Sequence, residues 1–207
     1  MYDEMFNDIE KHLSDDGKYA TKTDKYLFRR RSEHIKRVFA WAKRLADDCD
    51  SSAVDKEALL TAALFHDVGY AISDSGANHA ENSALIYDKY AVEKGYNHSK
   101  SAFISYLIKN HSNKDLLHRE DTPVELIILM EADLLDETGA LSIVWDCMVE
   151  GAQNEQSYDK AYNHINNYSA KLLDWNPMVT KKAKEIWLKK QELVEEFIEQ
   201  LGYDLGE

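Results

Sequence analysis

The chain has 207 residues, 44% of them hydrophobic and 30% charged, with eight Gly and two Pro. A chain this long buries about 70% of its unfolded surface without disulfide staples. Its two cysteines, Cys49 and Cys147, form no CxxC pair, which speaks against a zinc knuckle or redox motif and fits a reducing compartment. The formal charge of -13 repels polyanions at long range, so duplex nucleic acid is excluded as a default partner. A small anion is admissible where its site carries positive charge of its own.

No apolar run approaches the roughly 20 residues that cross a bilayer. The longest, Val124 to Met130, is interrupted by Glu125. The acidic start Met1-Tyr2-Asp3-Glu4 lacks the basic-then-apolar order of a signal peptide. A cytoplasmic protein without membrane association is the expectation.

Scarce Gly and Pro, with apolar residues recurring every three to four positions, predict helices throughout and no sheet. In chain order the helices fall at about 2–13, 24–48, 56–69, 77–93, 98–111, 123–137, 139–150, 157–173 and 178–201. Asp15-Asp16-Gly17 and Gly95-Tyr96-Asn97 read as turns. Thr122-Pro123-Val124-Glu125 reads as a capping box with Pro at the first helical position, and Asn176-Pro177 predicts the start of the last helix. No repeat or linker divides the chain, so one domain spanning 1–207 is expected, with a core of about 24–175 and the helix 178–201 packed on it. The apolar positions of the last two helices suit a homodimer as well as a core.

Certain His and Asp residues fall where apolar residues belong. Ile35, Val38, Phe39, Ala42 and Leu45 stripe the second helix, and His34 lies one turn before Val38. On the third, Leu60, Ala63 and Leu64 are extended by Asp67, with His66 beside it. The sixth is apolar on nearly every side, and Asp133 follows Leu129 by four residues. An unpaired buried carboxylate costs several kcal/mol and would protonate or find a partner. With few Lys or Arg on these stripes, a divalent cation shared by two aspartates and two histidines reconciles them most simply. Arg37, three residues past His34, is a candidate for positive charge near that ion, and Lys100 and Lys109 are weaker ones. The run Arg29-Arg30-Arg31 reads as an exposed face that offsets nearby acids.

The succession of His34, adjacent His66-Asp67 and distant Asp133 resembles the HD-domain superfamily of metal-dependent phosphohydrolases. His34-Ile-Lys-Arg37-Val38, Ala63 to Asp67, His79 to Ala84, Ile108 to Ser112 and Glu131 to Ala140 are similar to small bacterial one-domain members, some of them nucleotide pyrophosphohydrolases. The resemblance implies an all-α orthogonal helical bundle with a divalent ion held by His34, His66, Asp67 and Asp133. Mixed N/O ligands suit octahedral Mn, Fe, Co or Ni, with Mg and Zn compatible, and two open positions remain for water and a phosphoryl oxygen. The implied substrate is a small phosphorylated molecule, by preference a nucleotide. Asp67 would ligate the ion and orient the attacking water. His79, His111, Arg37 and Lys100 would contact the substrate.

Two departures narrow the resemblance. Tyr70 stands where the HD-GYP enzymes carry a Lys, so cyclic-dinucleotide cleavage is not implied. No Glu follows His66-Asp67 closely, as it does in related 5′-nucleotidases, which leaves Asp74 as the nearest acid/base carboxylate. His79 and His111 also lie where di-iron oxygenases of the superfamily place extra ligands, so a second ion is an alternative. A non-catalytic nucleotide-binding module is another.

Overall fold

Helix is the only regular secondary structure among the described residues of the computed structural model, which are 1–14, 30–49, 53–72 and 76–206. The protein is all-α. Nine α-helices occur among those residues, and none is long and apolar enough to cross a membrane. Both cysteines are free thiols.

The chain divides into two compact units, Met1–Asp133 and Leu134–Glu207. In the first, α1 (Tyr2–Ser14), α2 (Arg31–Asp47), α3 (Lys56–Phe65), α4 (His79–Glu93) and α5 (His98–Asn110) precede α6 (Val124–Leu135), whose Asp133 closes the unit. Helix α3 lies at its centre, because every side chain from Ala58 to Phe65 is buried. It packs against α1, α2, α4 and α5. Asp55 caps its N-terminus by accepting from the Ala58 N–H at 3.0 Å. Phe65 meets Tyr87 of α4 edge to face with centroids 5.3 Å apart, and Ile35, Leu59, Ile104 and Leu107 fill the rest of the core. Each such side chain contributes about 1.5–3 kcal/mol through burial.

The predicted helix 56–69 ends as an α-helix at Phe65 and continues, after His66 and Asp67, as a 3-10 turn at Val68–Ala71. Packing against α4 dictates the change. A Cβ on Gly69 would sit 2.2 Å from the His79 carbonyl oxygen and 2.5 Å from the Ser83 nitrogen. Without one, the turn lies directly on the first turn of α4, and the Gly69 N–H donates to Ser83 Oγ at 2.8 Å.

The second unit contains α7 (Ala140–Gly151), α8 (Tyr158–Ile165) and α9 (Lys181–Leu205), with a π-helical turn at Asn166–Ala170 prolonging α8. Gly139 precedes α7 at φ +68°, where a side chain would be strained, and Lys190 of α9 donates to the neighbouring Thr138 carbonyl at 2.9 Å.

Several predicted boundaries are corrected. Helix α2 begins at Arg31; residues 24–29 of the predicted helix and the predicted turn Asp15-Asp16-Gly17 lie outside the described residues. Pro177 does not open the last helix. Asn176 Oδ1 accepts from the Met178 N–H in a local turn, and Thr180 caps α9 by accepting from the Ala183 N–H. The side chains of the expected capping box at Thr122 are also engaged elsewhere. The Thr122 hydroxyl donates to the Leu116 carbonyl at 2.6 Å, and the Glu125 carboxylate accepts from the Asp55 N–H at 2.7 Å. The turn at Gly95 is as predicted, with Gly95 at φ +68° and Asn97 capping α5.

Candidate metal centre

Three helix ends and two helix starts bring the polar side chains together. His66 is the residue at which α3 ends, and Asp67, at φ -114° and ψ 4°, leaves the helical path and turns its carboxylate back. His111 ends α5 in the same way, His79 opens α4, and Asp133 stands in the last turn of α6. His34 belongs to the first turn of α2. His34, His66, Asp67 and His111 are buried; Asp133 and His79 are half-buried.

The backbone sets the imidazole tautomers. His66 Nδ1 lies 2.8 Å from the Ala63 carbonyl oxygen and His111 Nδ1 lies 2.7 Å from that of Ile108. A carbonyl oxygen only accepts, so each Nδ1 carries a proton and each ring turns its Nε2 toward the cluster. Burial first, countered by Asp67 and reinforced by His111, pushes the His66 pKa down to about 4, so the ring is neutral at pH 7.

The Nε2 atoms of His34 and His66 lie 3.3 Å apart. Asp67 Oδ2 is 3.4 Å from His34 Nε2 and 3.7 Å from His66 Nε2; Asp133 Oδ1 is 3.4 and 4.0 Å from the same two atoms. Ligands held ~2.1 Å from one ion stand ~3 Å apart at right angles and ~4 Å apart when opposite. His34, His66 and Asp133 lie close enough together to hold one ion, and so do His66, Asp67 and His111. The other oxygen of Asp67 faces a second pair: Oδ1 is 3.5 Å from both His79 Nε2 and His111 Nε2, themselves 3.2 Å apart.

Burial by itself would raise the pKa of Asp67. The facing imidazoles of His66, His111 and His34 and the Arg31 guanidinium outweigh it and hold the carboxyl well below its ordinary range. Asp133 is likewise held low against burial by Lys114, His34 and His66. Both are carboxylates at neutral pH, as ion binding requires.

The structure brings together His34, His66, Asp67, Asp133, His79 and His111. Arg37 is half-buried one turn past His34. Lys100 stands elsewhere, paired with Glu57 and Asp55 at the start of α3, about 13 Å along the helix from His66. Asp74 lies outside the described residues.

Sequence reasoning missed three residues. Arg31, read as part of an exposed basic run, places NH1 2.7 Å from Asp67 Oδ2. Its guanidinium lies 4.1 Å from the Tyr70 ring centroid, and Tyr70 stacks on His79 at 4.8 Å and 19°. Lys114 places Nζ 2.8 Å from Asp133 Oδ2 and donates to the His111 carbonyl at 3.0 Å. One signal was available: Arg31 precedes His34 by three residues, hence shares its helix face.

The HD domain family matches residues 31–138, half of the chain. The chain belongs to the HD domain family. Solved structures with a similar fold include an HD-superfamily hydrolase of Bacillus thuringiensis, with 21% identity, a TM-score of 0.69, and 99% of this chain and 96% of that chain covered. Bacillus subtilis YpgQ in complex with ADP has 22% identity and a TM-score of 0.64, covering 99% and 97%. Lin1889 of Listeria innocua has 21% identity and a TM-score of 0.63, covering 100% and 98%. No functionally curated protein matches this chain.

Proposed function

We propose that this protein is a metal-dependent phosphohydrolase acting on a phosphate ester, with a nucleotide as the preferred substrate class. One observation carries the reading: Nε2 of His34 and Nε2 of His66 meet carboxylate oxygens of Asp67 and Asp133 within 4.0 Å, a gathering of imidazole and carboxylate donors that suits a cation. A divalent ion there supplies hydroxide near neutral pH and polarises a phosphoryl oxygen. Mn, Fe, Co or Ni match the donor set best, with Mg and Zn compatible.

His34, His66, Asp67 and Asp133 would hold the ion, and Asp67 would also orient the attacking water. His79 and His111, on the other side of Asp67, would contact the phosphate or, when protonated, serve the leaving oxygen. Lys114 and Arg37 would add positive charge against the phosphate. Asp74 remains the proposed acid/base carboxylate. The nucleotide preference is supported by the ADP complex of YpgQ, whose fold is similar.

The two-sided use of Asp67 favours a second reading, a dinuclear centre in which His79 and His111, with Asp67, would hold a second ion. With iron in both positions, the chemistry would be oxidative. Elemental analysis of protein purified without chelator, followed by phosphate release from nucleotides and sugar phosphates, tests both. Phosphate release that EDTA abolishes and Mn2+ restores is expected. Metal-replete protein that releases none overturns the hydrolase, and two irons per chain with oxygen uptake favours the oxidative reading.

A further inference from the structure

We infer that Arg31 is a phosphate-binding residue that couples substrate binding to metal binding, by exchanging Asp67 for the substrate's phosphoryl oxygens. The inference deepens the phosphohydrolase reading and rests on it.

Asp67 Oδ2 is the oxygen that faces His34 and His66, and it is the same oxygen that accepts from Arg31 NH1 at 2.7 Å. A guanidinium stays charged at every accessible pH, so this pairing does not dissolve by deprotonation. An ion drawn to Oδ2 therefore meets a fixed positive charge on its own ligand. Two cations on one carboxylate oxygen repel, and the repulsion is relieved when the guanidinium obtains another anion.

Phosphate is the anion whose geometry matches: its oxygens accept two parallel N–H bonds from the guanidinium fork. The side chain is free to make that move. Arg31 is 24% exposed where Asp67 is 6%, so it reaches the cluster from the solvent side, by which a substrate enters. Its guanidinium lies over the Tyr70 ring, a surface along which a planar cation shifts without losing its cation–π contact. Tyr70 is in turn held by stacking on His79, which is placed for the same phosphate.

The consequence is reciprocal. Phosphate tightens the ion by removing Arg31 from Asp67, and the ion tightens phosphate by the same factor. Isothermal titration of Mn2+ into metal-free protein, without and with saturating inorganic phosphate, reads the coupling without turnover. Wild type should bind Mn2+ about tenfold more tightly with phosphate present. Arg31→Ala should bind Mn2+ alone at least as tightly as wild type, with the phosphate effect reduced to about twofold or less. Tyr70→Leu keeps the charge but removes its platform, and should lose part of the coupling.

Equal phosphate tightening in wild type and Arg31→Ala overturns the assignment. So does weaker binding of Mn2+ alone by a folded Arg31→Ala protein. Wild type that takes up no Mn2+ removes the phosphohydrolase reading and this inference together, whereas Mn2+ uptake and turnover with unchanged coupling in the variant removes only the role of Arg31.

Discussion

The two units each gather histidine and carboxylates in a protected place, with opposite electrostatic outcomes. In the first, carbonyl oxygens occupy the Nδ1 atoms of His66 and His111, leaving their Nε2 atoms turned toward shared carboxylates. In the second, His164 stands between two acids, with Nδ1 2.7 Å from Glu150 and Nε2 3.5 Å from Asp146. Ser169 donates to the other Asp146 oxygen, and Tyr168 lies over the ring at 4.4 Å. There, one imidazole has a carboxylate at each nitrogen. Residue type alone does not define a metal site. What differs is the second ring nitrogen: in the first unit a carbonyl occupies it, so only the other nitrogen faces the carboxylates.

The pKa directions record the same contrast. Asp67 and Asp133 are held well below their ordinary range, whereas burial raises Asp146, only partly countered by Ser169 and His164. One carboxylate pair is prepared for a cation, and the other acid resists ionisation.

The largest expected break in this comparison is Asp67→Ala, which should lower phosphate release by at least about 10³-fold and abolish tight Mn2+ uptake. Asp146→Ala should leave Mn2+ affinity unchanged while costing about 1–3 kcal/mol of stability through the orphaned Ser169 and His164. Titration calorimetry and urea denaturation separate the two. Equal loss of metal affinity in both variants would erase the distinction between the clusters.

Next in size is Gly69→Ala. The added Cβ would meet backbone atoms of His79 and Ser83, which cannot yield as a flexible side chain does. About 3 kcal/mol of destabilisation is expected, with Mn2+ affinity falling as the turn after Asp67 is displaced. An unchanged urea midpoint would contradict the packing described for that turn.

Asp146 carries a pH prediction. A carboxyl whose folded pKa lies above its unfolded value of about 4 loses stability as pH rises from there through the folded pKa. Asp146→Asn should therefore remove a downward slope in stability on the neutral side of pH 4. Urea midpoints across pH 4 to 8 test this, and a slope identical to wild type would refute it.

The smallest effect is assigned to Thr180→Ala, which removes the cap of α9 and should cost about 1 kcal/mol without altering Mn2+ affinity. A larger loss, or any change in metal uptake, would mean that the second unit does more for the centre than the contrast allows.

By itself the sequence determined the helices and the polar residues that interrupt their apolar stripes, because both are local. Apolar residues recur at helical spacing, and a histidine or aspartate that interrupts such a stripe, as His34, His66, Asp67 and Asp133 do, can be recognised within a turn or two. Only the tertiary structure decided the partners of those residues. Arg31 meets Asp67 across 36 positions and Lys114 meets Asp133 across 19, and Lys100 is drawn to the opposite end of α3. Thr122 and Glu125 were expected to bond to each other within one helical turn, but instead serve Leu116 and Asp55. A periodic pattern states which face of a helix is buried. It does not state what the neighbouring helix presents there, and a charged side chain takes whichever partner the packing brings within reach.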